Sequence, residues 1–279
     1  MQMTIRSLSF YRNNSKGETK STNTSNNRLF TALGSSLESC ILPAALILFW
    51  VGAGAFGKLN TIVLPSFDTV VDTFWSGITS GQLLAALAIS IRRVLLGYLV
   101  SSVLGIVLGI LIGLSGHAQR LTGLLIQVLR PIPPIAWIPL VILWMGIGEN
   151  SKVFLIFLGG FFTVLINVID GIRYTDKKLT EVAWVMETPK LKYITRLVIP
   201  AALPSIFTGL KVALGSCWTC VVAAELVAST SGIGYMISNA RNFGQMDVVI
   251  VGMLSIGLVG KLMDTILNAI GKRLLAWNT

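Results

Sequence analysis

Runs of about 20 predominantly apolar residues recur along this chain, at roughly 38–56, 91–114, 121–145, 153–170, 206–227 and 248–270. Each is long enough for a helix to cross about 30 Å of hydrocarbon, and none alternates as a membrane barrel strand does. Backbone in lipid must satisfy its own hydrogen bonds, so the expected fold is all-α, a polytopic bundle of six transmembrane helices. Only 12% of the residues are charged, against roughly a quarter in soluble domains.

The formal charge of +10 is concentrated in the first 30 residues and in an internal loop. No aromatic-interleaved basic face is present, so a positive-inside membrane topology accounts for the charge and nucleic acid is not an expected partner. Residues 1–30, rich in Ser, Thr and Asn, read as a disordered cytoplasmic tail without a signal peptide, and 31–279 as one transmembrane domain. Six spans place both termini and the basic insert at 173–204 in the cytoplasm. Arg92 and Arg93, at the outer end of the second span, are the exception.

Three motifs have competing readings. Gly52-Ala-Gly-Ala-Phe-Gly57 spells a dinucleotide fingerprint, but it sits at the end of a span without the strand that motif needs. Cys217-Trp-Thr-Cys220 lies in mid-helix with no second ligand pair, and His117 stands alone, so inert thiols and no metal site are expected. Arg130-Pro-Ile-Pro-Pro-Ile-Ala-Trp-Ile-Pro139 interrupts the third span. It is either a broken helix lining a path, with Arg130, Pro133, Pro134, Trp137 and Pro139 as candidate gate residues, or a kink buried between helices. In the second span Gly105, Gly109 and Gly113 form a flat strip for close helix packing.

The insert reads as a helix–turn–helix. Leu179, Val182, Ala183 and Met186 share a face, and Thr188-Pro189 offers a helix start ahead of Leu191, Ile194, Leu197 and Val198. A charged amphipathic unit between two anchored spans is built for rigid docking against a soluble partner.

Here the chain resembles the membrane-spanning permease subunits of binding-protein-dependent ABC importers. Their cytoplasmic signature is matched by Glu181-Val-Ala183, by Glu187 at the usual glycine position, and by Ile199-Pro200. The taurine, alkanesulfonate and nitrate branch is resembled in Leu64-Pro-Ser66, Ser90-Ile-Arg-Arg93, the proline segment, Trp144-Met-Gly-Ile-Gly-Glu-Asn-Ser-Lys152, Ala201-Ala-Leu-Pro204, Phe207-Thr-Gly-Leu-Lys211 and Ala223-Ala-Glu-Leu226. The resemblance covers essentially everything after Arg28.

It implies a type I importer fold in a bacterial inner membrane, with the insert as a coupling helix. Glu181, Val182, Ala183, Met186, Glu187, Thr188 and Pro189 would meet the ATPase. The implied machine has two copies of this chain, two ATPase subunits holding ATP and magnesium, and an extracytoplasmic solute-binding protein. No Gly-x-x-x-x-Gly-Lys-Ser/Thr loop occurs in the sequence, so this chain is expected to bind no cofactor and to catalyse nothing. Glu187 carries a Cβ that disfavours a left-handed turn, which Thr188-Pro189 would then take over.

The expected solute is taurine or an alkanesulfonate, with nitrate, another small anion or a pyrimidine vitamin precursor as alternatives, and an ion-coupled carrier as a different class. Glu225 near the outer end of the fifth span either faces the path, where it would attract an ammonium, or is neutralised by Arg92 or Arg93. Lys211 and Arg130 either hold an anion or reach lipid phosphate, Asp264 has Lys261 as a possible partner, and Trp137, Trp144, Trp218 and Trp277 read as interfacial anchors or packing.

Overall fold

Residues 41–52 and 64–274, the part described by a computed structural model, are helical in all their regular structure. The chain divides into two units, Met1–Lys58 and Leu59–Thr279. In the first, the described residues form α1 (Ile41–Gly52), a short apolar helix. The tail at 1–30, most of the Gly52–Gly57 string and Trp277 lie outside the described residues.

The second unit contains α2 (Phe67–Thr79), α3 (Gln82–Leu114), α4 (Gly116–Leu129), a 3-10 turn (Pro134–Trp137) leading into α5 (Ile138–Met145), and α6 (Glu149–Arg173). These are followed by α7 (Lys177–Val185), α8 (Lys190–Tyr193), α9 (Ile199–Ala228), α10 (Ile233–Asn242) and α11 (Met246–Leu274). Among the described residues α3, α6, α11 and the continuous 38-residue stretch Lys190–Val227 are long and apolar enough to span a membrane. The fifth candidate is broken: α4 and Pro134–Met145 meet at 89°.

Small residues set the core register. A Cβ on Gly105 would meet Val164, one on Gly109 would meet Val168, and one on Gly113 would meet Ile172, while Ser101 lies against Gly160. Position i of α3 thus faces i+59 of α6 throughout, so the two helices run parallel, backbone close to backbone. On the other face of α6 the partners count down: Cys217 packs on Gly160, Asn167 on Gly209, and Ser205 on Gly171. α9 is therefore antiparallel to α6. α11 returns along α9, with Trp218 Nε1 donating to the Ile256 carbonyl at 3.0 Å and Phe207 seated on Gly271.

The structure corrects three expectations here. α3 begins at Gln82, because the apolar pattern continues upstream of Ile91, and so Arg92 and Arg93 sit inside the helix rather than at its end. Pro189 occupies the cap position of α8 instead of its first turn, and Thr188 makes no cap. Nor does α8 end as a separate helix. It runs through a π-turn (Ile194–Val198) into α9, with the Ile199 N–H donating to the Ile194 carbonyl five residues back. Pro200 has no N–H to offer Arg196, so the wider turn carries the chain past the missing bond.

Candidate functional site

Three places on the molecule concentrate polar groups or exposed apolar side chains. The first is α7. Asp176 caps it, accepting from the Lys178 N–H at 2.9 Å. It ends in a left-handed turn: the Thr188 N–H reaches the Ala183 carbonyl and the Glu187 N–H reaches the Trp184 carbonyl, both at 3.0 Å. Glu187 takes φ +48° to close it. This overturns the expectation that Thr188-Pro189 would relieve Glu187, because the two terminal hydrogen bonds fix the geometry at residue 187 itself.

Leu179, Val182, Val185 and Met186 are exposed along one face of α7, Val185 at 84%, while Ala183 is buried on the inner side. Trp184 is 79% exposed beside that face, and Glu181, Glu187 and Pro189 are also exposed. Sequence reading omitted Val185 and Trp184, although Val185 follows Val182 by three residues, on the same helical face. Together these residues leave an exposed apolar face on a charged connecting helix.

The second place lies at the opposite end of the bundle. The guanidinium of Arg93, 2% exposed, reaches Glu149 through Nε at 2.7 Å and Nη2 at 2.6 Å. Its Nη1 donates to Glu225 Oε1 at 2.6 Å and to the Ser231 carbonyl at 2.8 Å, and Nη2 to Ser231 Oγ at 2.8 Å. All five N–H donors of the fork are engaged.

Glu225 is completely buried and also accepts from Ser90 Oγ at 2.8 Å and the Gly234 N–H at 2.9 Å. Lys152 Nζ completes the cluster on Glu149 at 2.9 Å. Two cations and two carboxylates balance, with Arg93, Lys152 and Glu225 buried and Glu149 61% exposed at the rim. Glu225 thus faces α3 and α10 rather than an open wall, and Arg92 is not its partner. Gly232, at φ +104°, lies against the carboxylate where a Cβ could not fit.

The third place is the proline break. Arg130 is exposed and makes no ion pair among the described residues. Pro133 and Pro134 line an apolar cavity of about 230 Å³ with Ile138, Leu155 and Cys220. Arg130, Pro134 and Trp137 line a second, of about 150 Å³, with Phe162 and Thr163. Pro139 stands in the first turn of α5, where its missing N–H costs nothing.

Elsewhere, Asp264 lies 3.8 Å from Lys211, not paired with Lys261 as the three-residue spacing had suggested, because α9 brings Lys211 alongside. Cys217 and Cys220 are free thiols facing α6. Trp218 is buried packing and Trp144 is exposed.

Residues 101–276 match the family model described as "Binding-protein-dependent transport system inner membrane component". The SsuC permease protein of Bacillus subtilis strain 168, whose name assigns it to aliphatic sulfonates transport, is 43% identical over 241 residues, 86% of this chain and 87% of that one. SsuC of Escherichia coli K12 is 42% identical over 237 residues, covering 85% and 90%. Among solved structures, an inward facing conformation of the MetNI methionine ABC transporter superposes with a TM-score of 0.55 at 16% identity, over 69% of this chain and 97% of that one. That likeness concerns the fold alone. On the family match and the extent of these identities, the chain belongs to the binding-protein-dependent inner membrane components, the multi-pass permeases of ABC importers, in the branch whose members are named for sulfonate, taurine and nitrate transport, and is a transport subunit rather than an enzyme.

Proposed function

We propose that this chain forms the membrane pathway of an ATP-driven importer of aliphatic sulfonates or taurine, and that α7 transmits the motion of a separate ATPase to it. The observation that carries the reading is the α7 face: Leu179, Val182, Val185 and Met186 lie exposed on a helix fixed at both ends, by the Asp176 cap and the Glu187 turn. Such a lever moves α6 and α9 together when something seizes it, since it connects their ends.

In this reading α7 and both termini are cytoplasmic, residues 173–204 are the coupling insert, and Glu181, Val182, Ala183, Met186, Glu187, Thr188 and Pro189 form or shape the docking surface. Two permease copies and two ATPases assemble, ATP and magnesium are held by the ATPases, and an extracytoplasmic binding protein delivers solute. ATP binding then favours one of two arrangements of the bundle, which is how a soluble engine drives a membrane path.

The sulfonate assignment is supported by two SsuC relatives above 40% identity and by the chain's charge arrangement. Buried Glu225 is neutralised by Arg93, while Arg130 beside the break has no acid partner among the described residues. A path of that character suits an anion. Uptake of radiolabelled ethanesulfonate, taurine and nitrate by cells with and without the chain tests this. Chain-dependent uptake of the sulfonates is expected, and chain-dependent uptake of nitrate alone would overturn it.

A further inference from the structure

The two cavities beside the proline break share Pro134, and the second shares Arg130 with a third, of about 570 Å³, lined also by Gln119, Gln127, Asp170 and Arg173. Neighbouring cavities in this order thus share a wall residue on the broken helix, from an apolar chamber, past the Arg130 guanidinium, to a wider chamber of mixed lining at the α7 end of the bundle. Only the first is without a charged wall residue. The first is walled by Ile135, Ile138, Leu155, Ala223 and Ala224; the middle one adds Thr163 and Trp137 to Arg130; the last holds two arginines against one aspartate.

We propose that this series is one solute route, and that an aliphatic sulfonate rests in it with its alkyl tail in the apolar chamber and its sulfonate at Arg130. This rests on the sulfonate reading above and adds a place, a polarity and a residue to it. A tail set against Ile138, Leu155 and Ala223 withdraws apolar surface from water, and the oxyanion meets a planar fork of donors that is ion-paired to no carboxylate among the described residues. Arg173 then offers the next cation on the way out, two of the chamber's charges lying on α6 at its α7 end. The break borders all three: Pro133 and Pro134 line the first, Ile132 and Pro134 the middle one, and Pro131 the last.

Cys220 lines the apolar chamber and reports its occupancy. In full-length permease carrying Cys40→Ser and Cys217→Ala, alkylation of Cys220 by N-ethylmaleimide is measured with methanesulfonate, butanesulfonate or sulfate present. Butanesulfonate at about ten times its dissociation constant should slow the reaction about tenfold. Affinity should rise up to about fourfold for each buried methylene, so methanesulfonate at the same concentration protects less, and sulfate least. Arg130→Gln should abolish protection and Arg130→Lys should keep part of it.

Equal protection by methanesulfonate and butanesulfonate, or full protection in Arg130→Gln, overturns the route. If Cys220 is inert without ligand, Thr219→Cys on the same wall supplies the thiol. Should the intact importer take up butanesulfonate while no sulfonate protects either thiol, the route is wrong and the sulfonate reading stands. An importer that takes up no sulfonate brings down both.

Discussion

Arg93 and Glu225 are 132 positions apart in sequence, yet Nη1 of one lies 2.6 Å from Oε1 of the other inside the bundle. Glu149 takes the remaining side of the same guanidinium, so α3, α6 and α9 are tied at one end through a single residue. Neutralising Glu225 leaves Arg93 and Lys152 to share Glu149, one positive charge in excess at a buried site. Glu225→Gln is therefore expected to cost about 3 kcal/mol or more, read as a lowered melting temperature of the purified permease. Combining it with Arg93→Met should restore part of the loss, whereas Arg92→Ala should stay within about 0.5 kcal/mol of wild type. A stable Glu225→Gln protein whose preference moves from taurine towards simple sulfonates would make Glu225 a solute contact instead.

Glu187 holds φ +48° at the end of α7. A Cβ in that region costs about 1–2 kcal/mol, and glycine loses about 0.5–1 kcal/mol through its freer unfolded chain. Glu187→Gly should thus raise stability by about 0.5–1 kcal/mol, and Glu187→Val should lower it. A melting temperature unchanged in both variants would show that the turn is not strained.

The parallel contact of α3 and α6 depends on the absence of side chains on the α3 strip. A Cβ on Gly109 would come within 2.7 Å of Val168 and 3.1 Å of the Leu165 carbonyl, which cannot rotate away. Gly109→Leu is expected to cost about 1–3 kcal/mol by overpacking, while Gly123→Leu, in open space, is expected to be tolerated. Thermal unfolding of the two variants side by side checks the difference.

The four long spans were legible in sequence because crossing lipid demands length and apolarity, and both are written locally. The four prolines from Pro131 to Pro139 announced the break for the same reason. Helix rotation was harder, since α3 is apolar around its whole circumference. Even so, a signal existed for choosing between Arg92 and Arg93. Arg93, Gly97, Ser101, Gly105, Gly109 and Gly113 recur every fourth residue, so Arg93 extends the very strip that packs on α6. Glu149 carries no such signal, because its role depends on α3 lying beside it. Glu187 shows the opposite limit. Residue preference argued against a left-handed turn, and the hydrogen bonds closing α7 prevailed.

Lys178 and Lys190 are exposed on either side of the α7 turn. Single cysteines placed there should react with an impermeant maleimide only in inverted membrane vesicles. Labelling in intact cells would reverse the orientation given to α7 and both termini.

The most direct measurement is ATP-dependent uptake of labelled butanesulfonate by vesicles containing the permease, its ATPase and its binding protein, with wild type compared to Val185→Asp/Met186→Asp. Charging a docking surface at its apolar centre removes 2 kcal/mol or more of association, roughly thirtyfold. The double variant should insert into the membrane at normal levels, lose bound ATPase and accumulate little label, while wild type accumulates it only when ATP is hydrolysed. Normal uptake by the double variant, or accumulation by wild type without the ATPase, would contradict α7 as the link between ATP and sulfonate transport.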